Sequence, residues 1–195
     1  YVGHESADGI PLITEKNASE AAANGIARST VEDTYTFILE DINKAIELLE
    51  ATDVERKDKR YVSLDVAYGI RARINLVMNN WQDAYNDAVD AINASDSKVM
   101  SINEAGKPAF IDINEKSWMW GVLITDKDRV ATTGICNFPS HMGSFNYGYA
   151  SVGAWRLINK KLFAAIPETD VRRNWFLDAE CNSASLTKAQ LDYVK

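Results

Sequence analysis

Apolar positions recur at helical spacing in the first half of the chain, and those runs set the first expectations. Tyr35, Ile38, Leu39, Ile42, Ile46 and Leu49 form one stripe along a predicted helix that ends near Glu50. Ser29-Thr30-Val31-Glu32 precedes it as a capping-box pattern, in which a hydroxyl and a carboxylate each satisfy an orphan N–H of the first turn. A second helix is predicted after the cap candidate Ser63, with Val66, Ala67, Ile70, Ile74 and Val77 as its buried stripe. Asn79-Asn80 supplies a turn, and NWQDAYNDAVDAINAS, residues 80 to 95, reads as a third helix. Its predicted inner side is Trp81, Ala84, Tyr85, Ala88 and Ile92; its predicted solvent side is Asp83, Asn86, Asp87 and Asp90.

Two helices joined by so short a turn pack antiparallel, and Ala67, Ala72, Ala84, Ala88 and Ala91 are small enough to let the backbones approach. The order A-x-x-x-x-A-R-x-x-L, then N-x-W-x-x-A-x-x-x-A-x-x-A, is close to the tetratricopeptide pattern of paired helices. Residues 1–28 read as an irregular lead-in, and the mixed charges of 53–60 as a solvated connector. From about residue 97 to 151 the periodicity lapses. Ser117 to Ile124 has the content of a short strand or a buried extended segment, and a long irregular stretch follows. A helix is predicted again over Val152 to Ala165, with Trp155, Ile158, Leu162 and Phe163 in register until Pro167 stops it. Residues 167–173 form a charged turn, and Ser185 or Thr187 starts a short final element. The expected fold is mainly α, built of tetratricopeptide-like helical hairpins with long irregular loops and at most a short strand pair. It is read as one region in four parts: 1–28, 29–95, 96–151 and 152–195.

Composition narrows the function. The 195 residues are 46% hydrophobic, enough for an ordinary core. A net charge of −7 and the lack of a dense Lys/Arg block argue against a nucleic-acid partner. Cys136 and Cys181 have no CxxC spacing and no nearby His, so they read as two thiols, with a disulfide left open. No apolar run has the roughly 18 residues of a membrane span. The chain opens on Tyr1-Val2 and closes on Tyr193-Val194-Lys195, and is expected to be a piece of a longer protein.

Three groups of residues, in order, carry a family resemblance. They are Gly9-Ile10-Pro11-Leu12-Ile13-Thr14 with Arg28-Ser29-Thr30-Val31 and the Tyr35 to Leu49 helix; the Ala67 to Ala91 hairpin; and Leu162-Phe163 with Asp170-Val171-Arg172-Arg173. Together they resemble the RagB/SusD family of nutrient-uptake lipoproteins of Bacteroidetes, with its G-x-P-L element, I-x-D-L-x-x-A helix, alanine-rich D-W-x-x-A hairpin and D-x-R-R turn. The resemblance implies a SusD-like α-α superhelix and a surface-exposed protein of the outer membrane. Such a protein captures a glycan and hands it to a TonB-dependent, SusC-like transporter. Membrane attachment is then expected only through a lipid anchor outside this chain, and the lack of catalytic and metal motifs leads to the expectation of no enzyme activity and no cofactor. A helical-repeat adaptor for a protein partner is the alternative that the hairpin by itself supports.

A sugar site needs flat apolar faces for the C–H side of the ring and planar polar groups for its hydroxyls. Phe145, Tyr147 and Tyr149 are the candidate ligand-binding aromatics, with Asn137, His141 and Asn146 as candidate hydrogen-bonding neighbours. Gly143 and Gly148 suggest a bent, exposed loop, although the same aromatics are also suited to filling a gap in the core. Trp81, Trp118, Trp120 and Trp155 stand at helical or strand spacing and are expected in the core. Arg172-Arg173 suits a carboxylated sugar, but a salt bridge with Asp170 at the turn is the simpler assignment. Nucleophile elbows, phosphate loops and HExxH are absent from the sequence, and His4 and His141 are too isolated for a His-rich metal site. Glycoside hydrolysis by a carboxylate pair is disfavoured because the acids fall on polar helix faces.

Overall fold

The computed structural model describes residues 1–107, 112–123, 125, 127–128, 158–178, 180 and 182–194. The chain divides into two compact units, Tyr1–Ser97 and Lys98–Lys195. Helices dominate the first. They are α1 Ala18–Asn24, α2 Val31–Glu50, α3 Leu64–Val77 and α4 Trp81–Ala94. The most extensive packing is α3 on α4, followed by α2 on α3.

The stripe predicted for α2 is the one that packs. Ile46 is buried and Tyr35, Ile38, Leu39, Ile42 and Leu49 are half-buried. Its cap falls one residue later than expected: Thr30 accepts the Asp33 amide at 3.0 Å, and Asp33 accepts the Thr30 amide at 3.3 Å. Ser29 is not available for the cap because its backbone pairs with the lead-in, from Gly9 N–H to Ser29 O and from Ser29 N–H to Ile10 O. That pairing continues as Val31 N–H to Ala7 O and Glu32 N–H to Glu5 O, so the exposed amides of the first turn of α2 are satisfied by the preceding strand-like segment. The lead-in is therefore fastened, not loose. It also contains α1, unanticipated from the sequence, which closes at Gly25 with a positive φ of 72°.

The α3–α4 connection is the turn predicted at Asn79-Asn80. Asn79 adopts φ 63°, Asn80 N–H reaches back to Asn75 O, and Asn79 N–H reaches Leu76 O. This is the paired bond pattern of a Schellman motif, with asparagine in the left-handed position that glycine more often fills. Ser63 stands at the N-cap of α3, yet its hydroxyl donates to the Asp65 carboxylate instead of accepting a backbone amide.

The interface face of the hairpin differs from the predicted one. Val66, Ala67, Ala84 and Ala91 are buried, together with the polar Asp65, Asn75 and Asp87. Val77 is 52% exposed, and Ala88 also faces solvent. On α4 the bulky residues point outward: Trp81 is 60%, Tyr85 65% and Ile92 72% exposed. The closest approach of two backbones selects small side chains, so the row Ala84-Asp87-Ala91 turns inward and the large apolar row rotates away.

The second unit holds α5 Ile102–Ala105, α6 Lys160–Ala165, a 3-10 helix over Val171–Trp175 and α7 Lys188–Val194. A capping box, Ser101 with Glu104, starts α5, and Thr187 with Gln190 makes the equivalent contacts before α7. No strand forms over Ser117–Leu123, where Trp118 is half-buried and Trp120 is 48% exposed, contrary to the core placement expected for both. The predicted 152–165 helix is not continuous. Ile158 and Asn159 are non-helical because the Asn159 side chain caps α6 by accepting the Lys161 and Leu162 amides, which leaves Leu162 exposed. Trp155 lies outside the described residues.

Gly9 is the tightest point of the lead-in. A Cβ there would fall 2.5 Å from the Thr30 carbonyl oxygen and against the Thr34 hydroxyl, both fixed by the first turn of α2. Gly9→Ala is expected to cost about 1–3 kcal/mol, read from urea unfolding, with faster hydrogen exchange at the Val31 and Glu32 amides.

Candidate functional site

The first unit carries a polar groove of about 370 Å³ where α2, α3 and α4 meet. Arg71 rises into it from the middle of α3 and Asp87 from the middle of α4. The guanidinium donates to Asp87 through Nε at 3.0 Å and Nη2 at 2.6 Å, and through Nη1 to Asn43 Oδ1 of α2 at 2.8 Å. Asn75 Nδ2 donates to the other side of the Asp87 carboxylate at 3.0 Å, and Asn80 Nδ2 donates to Asn75 Oδ1 at 3.2 Å. Asp87 is 4% exposed, so the pair is largely screened from water; its hydrogen bonds to Arg71 raise the guanidinium above its already high ordinary value. The guanidinium also lies over the Tyr68 ring at 5.5 Å. Tyr68 in turn donates its hydroxyl to Glu50 at the end of α2, and that bond pushes the phenol up to about 12.

This network was missed in the sequence because Asp87 sits among Asp83, Asn86 and Asp90, which do face the groove mouth or solvent. A signal was present: Asp87 shares its row with the small Ala84 and Ala91, while Arg71 shares one with Ala67 and Asn75. Chemically the groove offers amides and carboxylates to hydroxyl groups or to a cation. Among the described residues there is no His/Cys/Asp/Glu group arranged to hold a metal.

In the second unit the two neighbouring arginines divide their work. Asp170 caps the 3-10 helix, accepting the Arg172 amide at 3.0 Å and the Arg172 guanidinium at 2.9 Å from Nε and 2.6 Å from Nη2. The salt bridge expected at this turn is thus formed. Arg173 turns inward: its Nη1 donates to Ile166 O at 2.7 Å and Phe163 O at 3.3 Å, closing the end of α6, and it stacks 4.4 Å over the Phe163 ring. Phe163 meets Phe176 edge-on at 5.9 Å. The candidate ligand residues Asn137, His141, Phe145, Asn146, Tyr147 and Tyr149, and both cysteines, lie outside the described residues.

No protein-family model matches the chain, and no curated protein matches it. Among solved structures it is similar to a SusD-like carbohydrate binding protein from Bacteroides vulgatus, with 23% identity and a TM-score of 0.53 over 62% of this chain and 24% of that one. A SusD-like protein from Bacteroides fragilis is similar at 22% identity and a TM-score of 0.49, covering 67% of this chain and 26% of that one. The chain therefore spans about a quarter of the length of these structures. At such identity the first likeness establishes the fold: over the matched part this is a SusD-like helical fold, as the resemblance implied.

Breaking the buried pair from one side leaves a desolvated charge. Asp87→Ala is expected to lower stability by about 3 kcal/mol, against about 0.5 kcal/mol or less for the exposed Asp83→Ala and Asp90→Ala, in urea unfolding monitored by circular dichroism. The pH response of the second unit is set partly by Asp170, whose bonds from Arg172 hold its carboxyl at about 2, down from 3.8. A depressed carboxylate stabilises the fold above its unfolded value and loses that contribution as pH falls through the folded one, so the turn should hold at pH 4 and weaken between pH 4 and 2. An NMR titration of the Asp170 side chain should show a midpoint near 2, moving back toward 3.8 in Arg172→Gln.

Proposed function

We propose that this chain is part of a non-catalytic glycan-binding protein of the RagB/SusD type. In this reading the full-length protein is displayed on the outer membrane through a lipid anchor and delivers oligosaccharide or polysaccharide to a TonB-dependent, SusC-like transporter. The observation that carries it is the fold likeness to a SusD-like carbohydrate binding protein, which stands beside the family-like motifs of the sequence. Among the described residues no helix is long and apolar enough to cross a membrane. Phe145, Tyr147 and Tyr149, with Asn137, His141 and Asn146, are the proposed ligand-contacting loop residues.

A second reading, a helical adaptor for a soluble protein, draws on the outward row Trp81, Tyr85 and Ile92. Affinity capture separates the two, since a porin-like transporter supports the first and a soluble partner the second. Calorimetric titration of the full-length protein with plant, host and microbial polysaccharides is expected to show heat with at least one class. That heat should weaken by about tenfold in the double variant Tyr147→Ala, Tyr149→Ala. Silence across the whole panel would overturn the glycan reading.

A further inference from the structure

The two flanks of α4 are built differently. One meets α2 across the polar groove, where Asp83 and Asp90 stand. The other carries Trp81, Tyr85, Ala88 and Ile92, all exposed and all within about 60° of one another around the helix, in a row about 16 Å long. Asp83 and Asp90 fall roughly 170° from the centre of that row, and the exposed positions nearest its border, Gln82 and Asn93, are uncharged amides. Among the described residues, neither the Trp81 nor the Tyr85 ring is held by a hydrogen bond or by another ring. An apolar row without charge and rich in aromatics has the composition of the centre of a protein contact. Because α4 contains no Lys or Arg, the row lacks the basic rim with which an amphipathic helix lies on an anionic membrane surface.

We propose that this row joins two copies of the chain through an antiparallel, two-fold contact between their α4 helices. The spacing is self-complementary. With the axis midway between residues 86 and 87, Trp81 faces Ile92 of the second copy and Tyr85 faces its Ala88, so each aromatic ring meets a smaller side chain. Parallel pairing would set Trp81 on Trp81 and Tyr85 on Tyr85, bulk against bulk. Charge favours the same occupant. A foreign partner of an acidic chain gains from basic groups placed against acids, and this face offers it none, whereas two copies meet here without bringing Asp83 or Asp90 together. Trp81, Tyr85 and Ile92 are 60%, 65% and 72% exposed. Covering the row removes about 500 Å² per copy and about 1,000 Å² in all, the lower limit for a specific contact, which corresponds to a Kd on the order of 10 µM. The contact is independent of the glycan-binding reading.

The test is sedimentation equilibrium of the 195-residue chain from about 1 to 200 µM. The native chain is expected to pass from monomer to dimer across that range. Tyr85→Glu and Ala88→Lys place good helix formers at exposed positions, so each is expected to keep a native circular dichroism spectrum while weakening the dimer by about tenfold or more. Position 85 faces position 88 across the axis. An equimolar mixture of the two variants is therefore expected to regain a dimer within about threefold of the native affinity, through opposite charges. A native chain that stays monomeric at about 200 µM overturns the proposal, as does a dimer indifferent to both substitutions. A mixture no more associated than its components overturns the antiparallel register. Capture of a different soluble protein by a monomeric chain assigns the row to the adaptor reading instead.

Discussion

Asp87 is a carboxylate held inside a helical hairpin, and the geometry of the first unit follows from the need to satisfy it. An ionised carboxylate at 4% exposure is tolerable only with its lone pairs occupied, and here Arg71 and Asn75 of the facing helix occupy them. The bonds are directional, so they fix the register of α3 against α4 in a way that alanines alone do not. Arg71 then carries the constraint onward to Asn43, which places α2 beside the pair. The buried apolar residues around this centre are few and mostly small: Ile46, Val66, Ala67, Ala84 and Ala91. Burial at about 0.8 kcal/mol per methylene gives three alanines little to contribute, so their role is to bring the helices close enough for the polar contacts to close.

That balance explains which parts of the fold the sequence revealed. The α2 stripe was legible because its apolar residues are large and its neighbour accepts large residues. The hairpin and its Asn79-Asn80 turn were legible because a left-handed asparagine between two periodic runs has few other uses. The inward face of α4 was not, since amphipathic reading weights bulky side chains and the tight interface excludes them. Trp81, Tyr85 and Ile92 mark an apolar side of the helix, but it is Ala84, Asp87 and Ala91 that touch α3. The one-residue error in the α2 cap has a comparable cause. Thr30-Val31-Glu32-Asp33 is nearly as good a cap pattern as the one beginning at Ser29, and the choice was made by pairing with residues 5–10, a contact no local pattern encodes.

The same distinction applies to the sites. The Arg172–Asp170 pair could be read in advance because its partners are two residues apart. Arg71 and Asp87 are sixteen apart and meet only once the turn has closed. The link between Trp175 and Ala105, seventy residues distant, lies further still beyond any sequence pattern. Aromatic residues illustrate the same limit: spacing placed Trp81 and Trp120 in the core, and the fold leaves both substantially exposed.

Arg172 and Arg173 show how two neighbouring arginines in one short motif can take different structural duties. Arg173 satisfies the carbonyls that end α6 and stacks on Phe163, so its charge is committed to holding the helix end and the aromatic pair behind it. Arg172 caps nothing with its guanidinium; Asp170 already caps the 3-10 helix by accepting the Arg172 amide, and the side chain contributes only a partly exposed ion pair of modest worth. The inner arginine is therefore tied to the helix end that it closes, and the outer one to the carboxylate that caps its own helix. Glutamine at 172 would release the Asp170 carboxylate from its ion pair but keep the backbone cap, whereas glutamine at 173 would give up the charge-assisted bonds that close α6.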